Sequence, residues 1–85
     1  MFTVYVLKSQ RNGKRYTGYT GKDPLSRLKE HNLGSNKFTR QNSPFILVYT
    51  EEYSDKVSAI RREKFLKSGQ GRKFLDLTIS NGPLA

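Results

Sequence analysis

The sequence predicts an α+β domain in which helices flank a three-stranded antiparallel sheet, and three observations carry that expectation. Stretches rich in β-branched and aromatic residues alternate with helix-start and helix-stop signals in the order β-β-α-β-α. Asn12-Gly13 lies between the first two strand patterns as a hairpin signal, which sets them antiparallel. A chain of 85 residues is too short for a doubly wound parallel sheet, so antiparallel strands with helices packed on them are the economical solution.

Phe2 to Leu7 reads as the first strand. A type I′ turn is expected at Asn12-Gly13, because both central positions of that turn need positive φ. Arg15 to Thr20 is then the return strand. Asp23-Pro24 starts a helix, with an acceptor at the N-cap and a proline at the first helical position. That helix runs to about Asn32, and Gly34 stops it. Ser35 to Pro44 reads as a polar, basic loop. Phe45 to Tyr53 is the third strand, and Ser54 or Asp55 caps a second helix reaching about Lys67. Gly69 and Gly71 are expected to break it, and Arg72 to Ile79 to form a short C-terminal helix. Residues 1–79 then make the domain, and 80–85 a loose tail. The second strand is the most polar and suits a sheet edge. Strands one and three are apolar on both faces and should be neighbours, giving the spatial order 2-1-3.

Lys and Arg number 16 against 7 Asp and Glu, a net charge of +9. Leu, Ile, Val and Phe supply about a quarter of the chain, above the roughly 20% below which chains stay disordered, so a small core is expected. The absence of cysteine excludes disulfide staples and zinc-thiolate sites, and points to a reducing compartment, the cytoplasm. Phe45-Ile46-Leu47-Val48-Tyr49, the longest apolar run, falls far short of the roughly 20 residues that span a bilayer. The N-terminus has no signal-peptide pattern, and no membrane association is expected.

Charge of this size favours an anionic partner, nucleic acid ahead of an acidic membrane surface. Nine cations fall between Lys8 and Arg40, and a second cluster from Arg61 to Lys73 surrounds Glu63. Lys14, Arg15, Lys29, Lys37, Arg40, Lys67 and Arg72 are the candidate nucleic-acid contacts. Glu51, Glu52 and Asp55 gather apart from them, so one side should be less positive.

An even number of hairpin-loop residues would put Tyr5, Leu7, Tyr16, Gly18 and Thr20 on one side of the sheet. Gly18 would leave open space beside Tyr5, whereas an odd loop would bring Tyr19 there instead of Tyr16. On the first helix Arg27 and His31 stack four apart, at the rim of a buried side defined by Leu25 and Leu28. His31 equally suits the negative end of the helix dipole. Glu63 is the anomaly, because it falls at the centre of the arc of Ala59, Ile60 and Leu66 that should turn inward. A carboxylate there needs a metal or a cation, since burying it unpaired costs several kcal/mol. Lys67, Arg61 and Arg62 offer a local ion pair as the alternative.

Two tyrosines, an arginine, a histidine and one inward carboxylate in a basic surface suit a phosphodiester site. The same residues carry a resemblance. Val4-Tyr5-Val6, then Tyr16-Thr17-Gly18, then Arg27-x-x-x-His31 and Glu63 resemble the signature of the GIY-YIG nuclease superfamily. Arg-Leu-Lys-Glu-His-Asn and Arg-Glu-Lys-Phe-Leu-Lys-Ser-Gly-Gln-Gly-Arg-Lys-Phe-Leu are similar to phrases of its small stand-alone bacterial branch, related to the N-terminal nuclease domain of UvrC. The resemblance spans residues 2 to 76. Val4 stands where the first tripeptide has glycine, and Thr17 where the second has isoleucine.

What the resemblance implies is a GIY-YIG endonuclease-like fold and hydrolysis of DNA phosphodiester bonds at a single divalent metal, Mg²⁺ or Mn²⁺, in DNA repair or recombination. It implies Tyr5, Tyr16, Arg27, His31 and Glu63 as catalytic residues, with Glu63 the metal ligand. Coordination chemistry agrees, because Asp23 and Asp55 look committed to helix caps and one carboxylate with waters and phosphate oxygens can hold one Mg²⁺. Arg27 would bind the scissile phosphate. Tyr5 would take the proton from the attacking water, with Tyr16 and His31 orienting that water or relaying the proton. A free phenol titrates near pKa 10 and needs a neighbouring cation to act as a base at pH 7.

The competing expectation is a non-catalytic module binding nucleic acid through the same basic surface. It predicts salt-sensitive binding, with a slope near −0.9 per phosphate contacted on duplex DNA, and no cutting with any metal. DNA is the expected partner, RNA stays open, and the lack of a separate recognition module leaves room for a targeting protein.

Overall fold

The structure, a computed structural model, describes residues 1–79, so the expected tail lies outside the described residues. Its elements are β1 (Phe2–Ser9), β2 (Arg15–Thr20), α1 (Pro24–Asn32), α2 (Lys37–Asn42), β3 (Phe45–Tyr53), α3 (Lys56–Lys67) and α4 (Gly69–Thr78). The sheet is antiparallel throughout, in the order β2-β1-β3 that strand polarity predicts. Helices cover both faces. Val4 and Val6 of β1 join Val48, Ala59, Leu66 and Leu75 in one cluster under α3 and α4, while Tyr5, Leu7, Phe45 and Leu47 form a second with Tyr16 and Leu28 on the α1 side. Val4, where the family motif has glycine, is therefore a core residue with no exposed surface.

The hairpin differs from the expected type I′ turn. Among the described residues only Gly13 and Gly34 have positive φ, so Asn12 does not supply the second left-handed position. Ser9 N–H instead bonds Lys14 O at 2.8 Å, enclosing a longer loop. Ser9 Oγ accepts from the N–H of Arg11 and Asn12, Asn12 Oδ1 accepts from Lys14 N–H, and Asn12 Nδ2 donates to Asn42 Oδ1 at 2.7 Å. Those polar side chains satisfy the turn's backbone and tie it to α2. The loop still holds an even number of residues, so Tyr5 pairs with Gly18 and Leu7 with Tyr16.

Three further elements depart from expectation. Residues 35–44 contain a helix, because Asn36 and Thr39 form a reciprocal capping box: Asn36 Oδ1 accepts from Thr39 N–H at 2.9 Å, and Thr39 Oγ1 from Asn36 N–H at 3.2 Å. Asp23 occupies the N-cap of α1 but its side chain caps no backbone N–H, reaching only Ser26 Oγ. Asp55 does cap α3, accepting from Ser58 N–H at 2.9 Å.

The third concerns Gly69 and Gly71, which open α4 rather than interrupt the chain before it. Ser68 both ends α3 and caps α4, so the two helices meet with no loop. A Cβ on Gly71 would lie 2.0 Å from the Phe65 carbonyl oxygen and 2.5 Å from Leu66 Cα. Gly71 is thus the point at which α4 closes on α3. Gly71→Ala is expected to cost about 3 kcal/mol, the upper end for overpacking, and to lower Tm by on the order of 10 °C or more in a thermal melt.

Candidate active site

β2 is an edge strand, and a hollow of about 480 Å³ wraps its free side. Tyr5 comes to it from β1, Tyr16 and Gly18 from β2, Arg27 from α1, and Glu63 and Lys56 from α3. Four of the five sequence-predicted catalytic residues therefore share one cavity. His31, the fifth, lies behind Tyr5: its Nε2 is 2.9 Å from Tyr5 Oη, a bond between residues 26 apart in sequence.

The positions follow from local structure. Tyr5 and Tyr16 project to the same side because of the hairpin register, with ring centroids 6.4 Å apart and planes 29° from parallel. Gly18 faces Tyr5, and a Cβ there would sit 2.7 Å from Tyr5 Oη, so only glycine lets the phenol lie in this place. Asn32 clamps α1 to β3, accepting from Phe45 N–H at 2.7 Å and donating to Phe45 O at 3.2 Å. α1 thereby delivers His31 into the aromatic cluster, 4.6 Å from the Tyr16 centroid.

His31 was expected at the rim of a face buried through Leu25 and Leu28. The structure reverses this: Leu25 is exposed, whereas His31 has 0% exposure and is the buried residue of α1. The aromatic rings of β1 and β2, invisible in the helix's own periodicity, supply the burying surface. Burial, and secondarily the Arg27 charge, hold the imidazole below its ordinary pKa, so it is neutral at pH 7. An unfolded chain, with an imidazole near pKa 6.5, takes up that proton at higher pH than the folded chain. Stability is therefore expected to fall as pH drops below about 6.5, and thermal melts across this range should show His31→Gln flattening the decline.

Tyr5, 1% exposed, is pushed above the usual phenol range by burial, against the lowering effect of the Arg27 guanidinium. Arg27 pairs with Glu30 through Nη1 and Oε1, and Glu30 also meets Lys22 at 3.3 Å. The Glu63 side chain is 17% exposed, and its ion pair with Lys67 is long, 3.6 Å. Arg62, another of the three offered partners, is committed elsewhere. Its Nε and Nη2 reach Glu51 at 2.8 and 3.0 Å, while Tyr49 and Tyr53 donate to the same carboxylate. Burial and Glu51 push the Tyr53 phenol up to about 12. Glu51 is thus internally satisfied by Arg62 and the two tyrosines.

Of the predicted nucleic-acid contacts, Arg15, Lys67 and Arg72 line a second hollow beside the first, and Lys14 with Arg15 a third near the hairpin. Arg15 also pairs with Asp76 at 2.8 Å. Lys29, Lys37 and Arg40 are exposed and line none of these hollows, and Arg40 Nη1 donates to Gly34 O at 3.4 Å. Two participants escaped the sequence reading. Glu30 was legible, being three residues beyond Arg27 on the same helix. Ser35, whose Oγ lies 2.9 Å from His31 Nδ1, follows the helix stop and gives no such signal.

A three-stranded sheet whose central and edge strands bring two tyrosines to one side, with an arginine and a carboxylate supplied by separate helices, defines a class. The chain belongs to the GIY-YIG catalytic-domain family, a nuclease family whose model matches residues 1–74. More particularly, it is similar to the UPF0213 proteins of Staphylococcus aureus strains Mu3 and N315, each 40% identical over 75 residues, which is 87% of this chain and 89% of theirs. The solution NMR structure of a UPF0213 protein from Bacillus halodurans is 36% identical, with a TM-score of 0.54 over 92% of this chain and 85% of that one. Among the described residues no helix is long and apolar enough to cross a membrane.

Proposed function

We propose that the protein is a divalent-metal-dependent endonuclease that hydrolyses DNA phosphodiester bonds at the β2-edge hollow, serving DNA repair or recombination in the cytoplasm. The supporting observation is the convergence of Tyr5, Tyr16, Arg27 and Glu63, from four different elements, on one cavity.

Glu63 is the residue that would hold the metal. Glu63 lines the cavity, and among the described residues its carboxylate is engaged only by the long contact to Lys67. Among the described residues no cluster of three His, Cys, Asp or Glu exists. Such a donor set fits a hard cation that keeps most of its ligands as water and phosphate oxygen, the habit of Mg²⁺, and does not fit a zinc cage. Bound there, the ion supplies Lewis-acid stabilisation of charge on the phosphodiester.

The protein's own groups do the rest. Arg27, held by Glu30, offers its guanidinium fork to phosphate oxygens as they gain charge. Tyr5 Oη takes the proton of the attacking water and gives its own to His31 Nε2, 2.9 Å away. Neutral His31 can accept it when Nδ1 carries the ring proton and donates to Ser35 Oγ. This relay needs no preformed phenolate, which a buried tyrosine would scarcely supply. Tyr16 packs beside both rings, its centroid 6.4 Å from that of Tyr5 and 4.6 Å from that of His31, and so buttresses the pair.

Supercoiled plasmid incubated with the protein and Mg²⁺ or Mn²⁺ is expected to become nicked circle, and EDTA to stop the conversion. Plasmid binding without cutting in either ion would overturn the reading in favour of a binding module.

A further inference from the structure

Along the same edge of β2 lies a second hollow, of about 400 Å³, and Tyr16 forms the wall between it and the candidate active site. Its lining has two chemistries. Phe38 of α2, 37% exposed, and Tyr16 present aromatic surface with their ring centroids 6.0 Å apart, over a floor of Leu66 and Leu75. Arg15, Lys67 and Arg72 stand around that apolar surface, and among the described residues no acidic side chain lines it. An apolar slot of this size with convergent cations matches a flat aromatic group carrying phosphate.

We propose that this hollow seats one unpaired nucleobase of the DNA strand being cut, next to the scissile phosphate. The inference rests on the nuclease reading for the identity of the strand and adds the substrate's form. A base inside a duplex has both faces covered by its neighbours and cannot offer one to Tyr16 or Phe38. The base that enters is therefore extruded or single-stranded, and the cations take the phosphates on either side of it. Lys67 lines this hollow and contacts Glu63 of the other, one helical turn away, which puts the base seat beside the carboxylate. The absence of acids in the lining disfavours a basic ligand, and the shared Tyr16 wall argues for continuity with the same strand.

The test measures binding in EDTA, where nothing is cut, so it is independent of catalysis. A single-stranded oligodeoxynucleotide carrying 2-aminopurine is titrated with the protein, beside a blunt hairpin duplex and a single strand of abasic sites. The expected result is quenched 2-aminopurine fluorescence and tighter binding of the base-bearing strand than of the abasic one. Phe38→Ala should weaken single-strand binding about tenfold or more, as expected for losing one stacked base, and change duplex binding less than twofold. Phe38→Leu, which keeps apolar volume but no ring, should behave like alanine, and Phe38→Tyr like the parent protein. Equal binding of abasic and base-bearing strands, or equal effects of Phe38→Leu on strand and duplex, would overturn the base seat even if plasmid cutting persisted. A retained Phe38-dependent preference would support it even if no substrate were cut, in which case the nuclease reading alone fails.

Discussion

Glu63→Gln is expected to remove Mg²⁺-dependent plasmid nicking by on the order of 10²–10³-fold or more, while leaving the fold and metal-free DNA binding intact. The magnitude follows from the donor set. Among the described residues no cluster of three or more His, Cys, Asp or Glu exists, so Glu63 belongs to no larger donor set that would keep the ion in its absence. Sparing of the fold follows from the weakness of the contact that is lost. The Glu63–Lys67 pair is 3.6 Å long, and its lysine is more than half exposed, so solvent screening leaves it worth less than about 1 kcal/mol. An amide of the same shape loses little packing and still fills the cavity wall. Nicking in Mg²⁺ and a thermal melt on the same preparation separate the outcomes. A variant that melts normally and still cuts would place the metal elsewhere, and one that unfolds would show the carboxylate to be structural. Removing Lys67's partner should also leave that lysine free to meet phosphate, so DNA binding in EDTA should hold or tighten slightly.

Much of this site was legible because strands write their faces directly into sequence. Period-two alternation and an even hairpin loop suffice to pair Tyr5 with Gly18 and Leu7 with Tyr16. The turn itself was misjudged without harm, because Ser9 and Asn12 build a longer loop of the same parity. Helix faces were harder to read. The buried side of α1 is decided by tyrosines on two strands, so its two leucines gave a misleading axis and His31 was placed at the rim. α2 lacks an apolar stripe over its six residues and is held by its capping box, a signal shared with many polar loops. Glycines misled at α4 for a different reason. Gly71 reads as a breaker by propensity, yet it is there because another helix's backbone occupies the space a side chain would need. The network of Glu51 with Tyr49, Tyr53 and Arg62 depends on a strand meeting a helix, with Arg62 lying 4.9 Å over the rings of both Phe65 and Phe74. Period two puts the two tyrosines and Glu51 on one face of β3, but no spacing rule within that strand could have revealed Arg62.

Tyr5→Phe is expected to lower the nicking rate by about 10²–10⁴-fold with DNA binding unchanged, and the pH dependence tells how the proton moves. If Tyr5 worked as a preformed phenolate, its raised pKa would make the rate climb tenfold per unit across neutral and mildly alkaline pH. The 2.9 Å bond to a neutral His31 leads to a different profile. Tyr5 can then act from its protonated form, handing its proton to Nε2 as it takes one from water. The rate should be nearly level through neutral pH and fall only on acidification below the ordinary imidazole range, as His31 protonates and its acceptor is lost. Burial holds that imidazole below its ordinary pKa, so the fall begins later on acidification than it would for a surface histidine. His31→Gln offers the decisive comparison. Glutamine can hold the tyrosine hydroxyl but cannot take its proton, so the remaining activity should be low at neutrality and should rise with pH as phenolate forms. A level profile in both the parent protein and His31→Gln would remove the histidine from the relay, and an alkaline rise in both would mean that ionised Tyr5 acts alone. Gly18→Ala probes the same geometry without touching a titrating group. Its methyl would fall 2.7 Å from Tyr5 Oη, so the ring must swing away from His31, and the rate should drop although every acid and base is still present.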